Sequence, residues 1–242
     1  MSVVRRSVAP MDVILIPGFW LDASSWKAVT PALEQAGHRV HPVTPRGCES
    51  VDADRSGIGL AEQVQAVVQQ VEQLPGPVVL VGHSGGGAVA QGVADALPDR
   101  VARIVFVDAA PIAPGDAIND ELPVSGHEIP LPDWSIFEEA DLTDLDDDLR
   151  AEFRARAVPQ PARVASDPVQ LHDERRFDVP ITIIACEFPS SMVAEWIAAE
   201  VPFVRELSKM KHVDYIDLPT GHWPQFTKPA ELGRALVDAV AS

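Results

Sequence analysis

The sequence is poor in cysteine, in basic residues and in long apolar runs. Its 242 residues contain 2 Cys, and 19 Lys plus Arg stand against 36 Asp plus Glu, for a formal net charge of −17. The two cysteines, Cys48 and Cys186, are far apart and lie in no CxxC pattern, which excludes a disulfide framework and a cysteine-based zinc site. We interpret both as free thiols, typical of a reducing compartment, and expect a cytoplasmic protein.

The excess of acidic groups and the lack of apolar runs exclude several classes of partner. A chain of this charge repels nucleic acids and anionic membranes, and no run of Lys or Arg offsets the repulsion locally. No apolar stretch reaches the roughly 18 residues that a membrane-spanning helix needs. The apolar run that follows Arg5 and Arg6, Val13 to Ile16, is too short for an export signal. We therefore expect a small-molecule partner, no nucleic acid, no membrane, and a monomer or a homodimer.

Short apolar runs alternate with longer amphipathic segments, which predicts an α/β fold with a doubly wound, mostly parallel sheet. The six predicted strands are Val13–Ile16, Arg39–Val43, Val78–Val81, Ile104–Val107, Ile181–Ala185 and Tyr215–Leu218. The four predicted helices span about Ser24–Ala36, Leu60–Leu74, Gly86–Leu97 and Ala230–Val240. Because most of the predicted strands are β-branched and nearly free of charge, we expect them to be buried on both faces.

The alternation breaks between about Pro111 and Phe177. Prolines are dense there, no run resembles a buried strand, and the apolar residues between Ile136 and Phe153 recur at helical spacing among acidic ones. We predict one or two short amphipathic helices that form a lid. The predicted organisation is a flexible tail at 1–10, a core at 11–111 and 178–242, and a helical lid at 112–177.

The most informative pentapeptide is Gly82-His83-Ser84-Gly85-Gly86. It follows the predicted strand Val78–Val81 and opens a helix of small residues, the setting that a nucleophilic serine on a sharp strand-to-helix turn requires. Glycine suits such a turn because the backbone is strained and close to its neighbours. Ser84 is therefore the candidate nucleophile, whereas without the flanking strand and helix the pattern would indicate an ordinary Gly/Ser loop.

A serine hydroxyl needs a base, and His222 is the best placed of the seven histidines. It follows the last predicted strand, so its loop can lean over the sheet edge where the serine turn also lies. An oxyanion needs two backbone N–H donors, and we predict those of Gly85 and Phe19. The turn before Phe19 is equally compatible with a plain exit from the first strand. We expect the His83 side chain to point away from the site.

Three motifs carry a family resemblance: Pro17-Gly18-Phe19-Trp20 after the first strand, the pentapeptide around Ser84, and Thr220-Gly221-His222-Trp223-Pro224. In this order they resemble the α/β-hydrolase superfamily, and in particular its small branch of serine esterases, plant methylesterases and hydroxynitrile lyases. The resemblance covers the chain except for the tail and the lid. It implies the α/β-hydrolase fold, with the lid inserted after the sixth strand of that fold. Pro17 stands where the branch often has histidine, which leaves the backbone donor of the next residues in place.

The acid of a Ser-His-acid triad is left open by the sequence. Most of the superfamily has an aspartate after the penultimate strand, where this chain has Cys186-Glu187-Phe188. Asp108, which follows the strand Ile104–Val107, resembles the acid of haloalkane dehalogenases and some lactone hydrolases. Glu187 is a longer carboxylate near the usual place, and the site could also lack an acid. We favour Asp108 because a shorter acid at a strand end is held more rigidly while it accepts the imidazole Nδ1–H.

No cofactor and no metal are expected, since the sequence has no H-E-x-x-H pattern and no glycine-rich nucleotide-binding loop. Several aromatic residues in loops or in the lid could bind substrate, although packing between lid and core would explain them equally well. They are Trp20, Trp134, Phe137, Phe188 and Trp223.

The motifs together predict a cofactor-free serine hydrolase that cleaves a carboxylic ester or lactone of a small, largely apolar substrate through an acyl-enzyme. The same residues could instead serve a lyase, a perhydrolase or a cofactor-free oxygenase, because a fold does not fix its chemistry. The open acid position also allows a hydrolase-derived ligand-binding protein with weak turnover.

Overall fold

The computed structural model describes residues 9–242, and a parallel sheet forms its centre. The strands are β1 Asp12–Ile16, β2 Arg39–Pro42, β3 Val78–His83, β4 Val101–Val107, β5 Glu128–Ile129, β6 Gln160–Pro161, β7 Ile181–Ala185 and β8 Val213–Asp217. Six of them form one sheet in the order β2-β1-β3-β4-β7-β8, and all neighbouring pairs are parallel. The predicted parallel α/β sheet is confirmed. The predicted tail lies, up to residue 8, outside the described residues.

Helices cover both faces of this sheet. They are α1 Thr30–Gln35, α2 Leu60–Gln73, α3 Gly85–Ala96, α4 Asp147–Arg156, α5 Ala162–Ser166, α6 Ser190–Ala198, α7 Pro224–Thr227 and α8 Pro229–Ala241, with short 3-10 turns between some of them. Leu33 of α1 and Leu236 of α8 are buried on one face, and Val68 of α2 and Val93 of α3 on the other. The sheet is therefore doubly wound, as predicted. Within residues 9–242 no helix combines the length and the apolar character that a bilayer crossing requires.

Burial of the strands depends on their position in the sheet. In β1, which has a neighbouring strand on each side, every residue is buried, with Val13 and Leu15 on the α1 side and Ile14 and Ile16 on the α2 side. Each such side chain contributes roughly 1.5–3 kcal/mol through removal from water. The edge strands β2 and β8 are partly exposed, so the expected burial on both faces is wrong for these two. An edge strand has a neighbour on one side only and leaves part of its surface in water.

The strand order creates a crevice at the carboxyl ends of β1 and β3. The chain passes from β1 to β2 on one side and then returns to β3 on the other side of β1. The loops after β1 and β3 consequently separate, and α/β proteins bind ligands at such a point. Because all six strands are parallel, the segments that follow β4, β7 and β8 begin at this same edge.

The segment predicted as a lid, residues 112–177, contains a small ribbon as well as helices. β5 and β6 pair in antiparallel fashion, which the sequence analysis did not foresee. Its main helix, α4, begins later than the apolar spacing suggested, because the Asp146 carboxylate caps it by accepting the N–H of Leu149. Asp147 and Asp148 occupy the first turn, where the helix dipole favours negative charge. The segment follows β4, the fourth strand of this chain.

Candidate active site

Ser84 lies in the sharp turn between β3 and α3. Its backbone has φ 50° and ψ −126°, a left-handed conformation that is costly for any residue except glycine and that clusters at functional sites. The Ser84 N–H donates to the carbonyl of Val107 on the neighbouring β4 at 3.1 Å. The strained turn that the pentapeptide predicted is thus present and is tied to the sheet.

Two glycines allow the turn to form because backbone atoms approach them closely. A Cβ on Gly82 would lie 2.6 Å from the carbonyl oxygen of Gly86. A Cβ on Gly86 would in turn lie 2.6 Å from the carbonyl oxygens of Ile16 and Pro17. Because backbone atoms cannot swing aside, only glycine lets α3 start this close to β1 and β3.

His222 joins Ser84 to a carboxylate. Its Nε2 lies 2.7 Å from Ser84 Oγ, and its Nδ1 lies 2.7 Å from Asp108 Oδ2. Asp108 follows β4 directly, and its Oδ1 accepts the backbone N–H groups of Cys186 and Glu187 at 3.1 and 3.2 Å. The structure therefore brings together the nucleophile, base and favoured acid that the sequence predicted, in the geometry of a catalytic triad.

Glu187, the alternative acid, reaches the same imidazole nitrogen. Its Oε1 lies 3.0 Å from His222 Nδ1. The contact between Asp108 and His222 has the geometry of a hydrogen bond, whereas Oε1 of Glu187 has no hydrogen-bond partner among the described residues. Both acids considered from the sequence thus lie close to His222, and Asp108 makes the hydrogen bond. The third alternative, a site without an acid, does not match the structure.

The three groups shift one another's pKa. Burial by itself would raise the pKa of Asp108, but its hydrogen bonds to His222 and to Glu187 hold that pKa below its ordinary value. Burial raises the pKa of Glu187 to about 7, and the charge of Asp108 acts in the same direction. Burial would lower the pKa of His222, but the two carboxylates outweigh it and raise that pKa, because they stabilise the imidazolium.

His83 holds the loops of the site together, a role that the sequence analysis missed. It is fully buried, its Nδ1 accepts the N–H of Gly18 at 3.2 Å, and its Nε2 lies 2.6 Å from the carbonyl oxygen of His222. Burial lowers the pKa of His83 to about 3, so the ring is neutral and donates from Nε2. The strand alternation was the available signal, because it places His83 on the same buried face as Val81.

The lid segment holds the loop of His222 from the opposite side. The N–H of Gly221 donates to the carbonyl of Thr143 at 3.0 Å, and the N–H of His222 donates to the carbonyl of Asp141 at 2.8 Å. A Cβ on Gly221 would overlap the carbonyl oxygen of Asp141. The position of His222 therefore depends on the lid segment as well as on the core.

Phe19 and Gly85, the predicted oxyanion donors, line the same cavity as Ser84. Within residues 9–242 the N–H groups of these two residues donate no hydrogen bond, so both are free to bind an oxyanion. Their loops are in close contact, since a Cβ on Gly85 would lie 2.5 Å from the ring of Phe19.

A cavity of about 400 Å³ contains Ser84. Of the predicted substrate-binding aromatics, Trp20, Phe137, Phe188 and Trp223 line it, and Trp134 does not. The Trp134 ring packs against Phe137 and Trp223, with centroid distances of 5.7 and 5.8 Å. The structure thus places Trp134 in the contact between lid and core and outside the cavity.

Two segments, rather than the lid alone, cover the cavity. Apolar lining residues come from the lid segment and from the stretch between β7 and β8, the latter including Val193, Trp196, Phe203 and Leu207. Phe188, one of the predicted substrate-binding aromatics, belongs to this second segment, which the predicted organisation placed in the core. Among the described lining residues none is Lys or Arg, and the acidic ones are Asp108, Asp141 and Glu187.

Comparison with known proteins gives the same family as the motifs. A model of the "Alpha/beta hydrolase family" matches residues 13–235. The chain belongs to the α/β-hydrolase family. A pyrethroid hydrolase of Sphingobium wenxiniae is 26% identical over 243 residues, which cover 94% of this chain and 86% of that relative. Methylesterase 8 of Arabidopsis thaliana is 36% identical over 97 residues, 39% of this chain and 36% of its own length.

Solved structures of α/β hydrolases share the fold. An extracellular α/β-hydrolase from a Paenibacillus species superposes with a TM-score of 0.77 at 22% identity, over 95% of this chain and 99% of the other. The predicted family and its esterase-like branch are confirmed, and these relatives support a hydrolase activity in general.

Three side chains of this α/β-hydrolase site lie close enough together to hold a metal ion. Donor atoms of Asp108, Glu187 and His222 lie within 4.8 Å of one another. A metal there would displace the proton on His222 Nδ1 and so break the hydrogen bond to Asp108. The absence of a metal requirement stays a prediction, to be tested with a chelator.

Proposed function

We propose that this α/β hydrolase is a cofactor-free serine hydrolase that cleaves a carboxylic ester or lactone of a small, largely apolar substrate. The observation that carries the proposal is the hydrogen-bonded chain from Ser84 Oγ through His222 to Asp108, with 2.7 Å at both links. It lies in a mainly apolar cavity whose size suits a small ligand.

In the first half of the reaction, Ser84 Oγ attacks the ester carbonyl carbon while its proton passes to Nε2 of His222. The negative charge that forms on the carbonyl oxygen is bound by the N–H groups of Phe19 and Gly85. The tetrahedral adduct collapses, its carbon–oxygen bond to the alcohol breaks, and His222 returns the proton to the leaving oxygen. The product of this half-reaction is an acyl ester on Ser84.

In the second half, water replaces the alcohol. His222 takes a proton from water, the hydroxide attacks the acyl carbon, and the oxyanion occupies the same donors. Collapse breaks the bond to Ser84 Oγ, which regains its proton from His222. The acid is released, and Asp108 stays ionised throughout because it only stabilises the imidazolium.

The lining of the cavity supports a neutral substrate. Its charged groups are the carboxylates Asp108, Asp141 and Glu187 beside His222, and no described lining residue is a cation. An anionic substrate would therefore be repelled, whereas an uncharged apolar ester loses little on leaving water. The lyase alternative needs a cation to hold a leaving anion, so the lining favours ester hydrolysis over it.

A panel of p-nitrophenyl esters, methyl esters, lactones and a pyrethroid ester tests the proposal, the last because one relative is named for that class. We expect turnover of neutral apolar members in the presence of EDTA, and at least tenfold lower kcat/KM for an otherwise identical ester that carries a carboxylate. Ser84→Ala should abolish turnover and labelling by a fluorophosphonate probe. Ser166→Ala, an exposed serine of α5, is the matched control and should keep both.

Three outcomes would contradict the proposal. Undiminished hydrolysis by Ser84→Ala would remove the nucleophile, and loss of activity in EDTA would indicate a metal. Labelling of Ser84 without turnover of any ester or lactone would favour a lyase, a perhydrolase or a cofactor-free oxygenase. Failure of the probe to label Ser84 would favour a ligand-binding protein.

A further inference from the structure

Two carboxylates converge on one nitrogen of His222. Asp108 Oδ2 and Glu187 Oε1 lie 2.7 and 3.0 Å from Nδ1. An imidazole that can accept a proton at Nε2 has one N–H group, at Nδ1, and its hydrogen bond goes to Asp108. A triad needs a single acid. The mechanism proposed above therefore leaves Glu187 without a role.

The surroundings of the two carboxylates differ. Asp108 accepts the N–H groups of Cys186 and Glu187 in addition to that of His222, and three such donors favour the ionised form. The Oε1 atom of Glu187 is buried and accepts no hydrogen bond from any residue within 9–242. Because a buried anion without donors is costly, Glu187 takes up a proton more readily than Asp108.

The groups that face Glu187 come from three elements. Asp108 follows β4, His222 follows β8, and Asp141 belongs to the lid segment. The two carboxylates repel an ionised Glu187 and can each accept a hydrogen bond from its neutral form. The cationic form of His222 is the group among the three that favours ionised Glu187.

Glu187 and His222 therefore compete for one proton. When Glu187 is ionised, two negative charges flank the ring and stabilise the imidazolium, whose protonated Nε2 cannot accept the proton of Ser84. When Glu187 holds the proton, Asp108 alone faces the ring and Nε2 is free. The two arrangements contain the same number of protons, so the titration belongs to the cluster and not to His222 alone.

We propose that Glu187 is a positioning residue that sets, through this shared proton, the pH at which His222 becomes free to act as the base, while Asp108 serves as the acid of the triad. The inference rests on the proposed serine hydrolase function. Removing the charge of Glu187 makes the imidazolium easier to deprotonate, so the enzyme should become active at lower pH.

The variant Glu187→Gln keeps the size of the side chain and removes its charge. We expect the acid limb of the kcat/KM profile to move down by about one to three pH units, with kcat on the plateau within fivefold of wild type. Glu187→Asp keeps a charge and should keep the limb nearer to wild type. Glu195→Gln removes an exposed charge on α6 and should leave the limb in place. Asp108→Asn should instead lose the plateau.

An NMR titration separates this inference from the proposed function. The imidazole ¹⁵N shifts of His222 should titrate at lower pH in Glu187→Gln than in wild type, and no substrate is needed. The ¹³C carboxyl shift of Glu187 in the unmodified protein should titrate near pH 7, which requires no variant. Without ester turnover in wild type, these shifts would still support the shared proton while the proposed function fails.

Two results would overturn the inference. The first is that the acid limb and the His222 titration do not change in Glu187→Gln, or that the Glu187 carboxyl titrates near its ordinary value of about 4.3. Either observation would show that Glu187 does not hold the proton. A loss of plateau activity as large as that of Asp108→Asn would make Glu187 the acid of the triad.

Discussion

Replacement of Gly82 by alanine should distort the turn that presents Ser84. The added Cβ would lie 2.6 Å from the carbonyl oxygen of Gly86 and 2.7 Å from backbone atoms of Gly87. Ordinary contacts of a Cβ begin at 3.4 Å. Because the atoms that the new Cβ would meet belong to the backbone, the start of α3 itself has to move by about 0.8 Å.

The shift of the helix start determines the size of the expected effect. Overpacking of this kind costs about 1–3 kcal/mol of stability, which for a chain of this length lowers Tm by about 4–8 °C at the midpoint of that range. Misplacement of a reacting group by about 1 Å lowers the rate by about 100-fold, equivalent to about 2.7 kcal/mol. The substitution should therefore reduce the rate of turnover more than it reduces the stability of the fold.

Turnover of a short p-nitrophenyl ester and the rate of fluorophosphonate labelling measure the effect on Ser84, and thermal unfolding measures stability. Gly87→Ala is the graded comparison, because its Cβ would meet the ring of Phe106 at 3.0 Å and a ring can yield; we expect kcat within about fivefold of wild type. Gly57→Ala meets no atom within 4 Å and should be neutral. A Gly82→Ala variant with wild-type kcat and wild-type Tm would refute the reasoning.

Three further predictions concern other parts of the molecule. Asp108→Asn should lower kcat by about 10³- to 10⁴-fold, since an amide nitrogen can impose the wrong imidazole tautomer, and a loss below tenfold in steady-state assays would contradict its role. The hydrogen bond from Arg39 holds the pKa of Asp12 at about 2. Ionised Asp12 therefore stabilises the folded state at pH values above its ordinary pKa, and this stabilisation is lost as the pH falls. The Tm difference between wild type and Asp12→Asn should consequently narrow from pH 7 to pH 3. Burial raises the pKa of the Cys48 thiol to about 12 and that of Cys186 as well, so a thiol reagent at pH 8 should label both only after unfolding, and rapid labelling of the native protein would speak against their burial.

Patterns within short stretches of sequence predicted most of the fold and half of the site. The apolar runs at 13–16, 78–81 and 181–185 lie in strands of the sheet, because strands covered by helices must be continuously apolar. Ser84 and His222 could be found in the same way, because short motifs mark them: glycines that allow a strained turn, and a loop directly after the last strand. The contacts that hold the His222 loop, to the lid segment and to His83, come from distant stretches.

The remaining parts depend on contacts between distant stretches. Asp108 and Glu187 follow different strands, and both reach His222 because β4, β7 and β8 are adjacent and end at one edge. Which strands are neighbours in the sheet cannot be read from their order along the chain. The exclusion of Trp134 from the cavity likewise depends on how the lid segment packs on the core.

The sequence by itself determined a parallel α/β sheet, a nucleophile turn and a histidine loop, because these follow from hydrophobic period and from the conformational freedom of glycine. Tertiary structure decided which carboxylate bonds to His222, that a second one lies 3.0 Å from the same nitrogen, and that His83 joins the loops. The hydrogen-bonded groups are more than 60 residues apart, and Glu187 is 35 residues from His222. Their interactions depend on burial and on distances of about 3 Å, which only the packed chain defines.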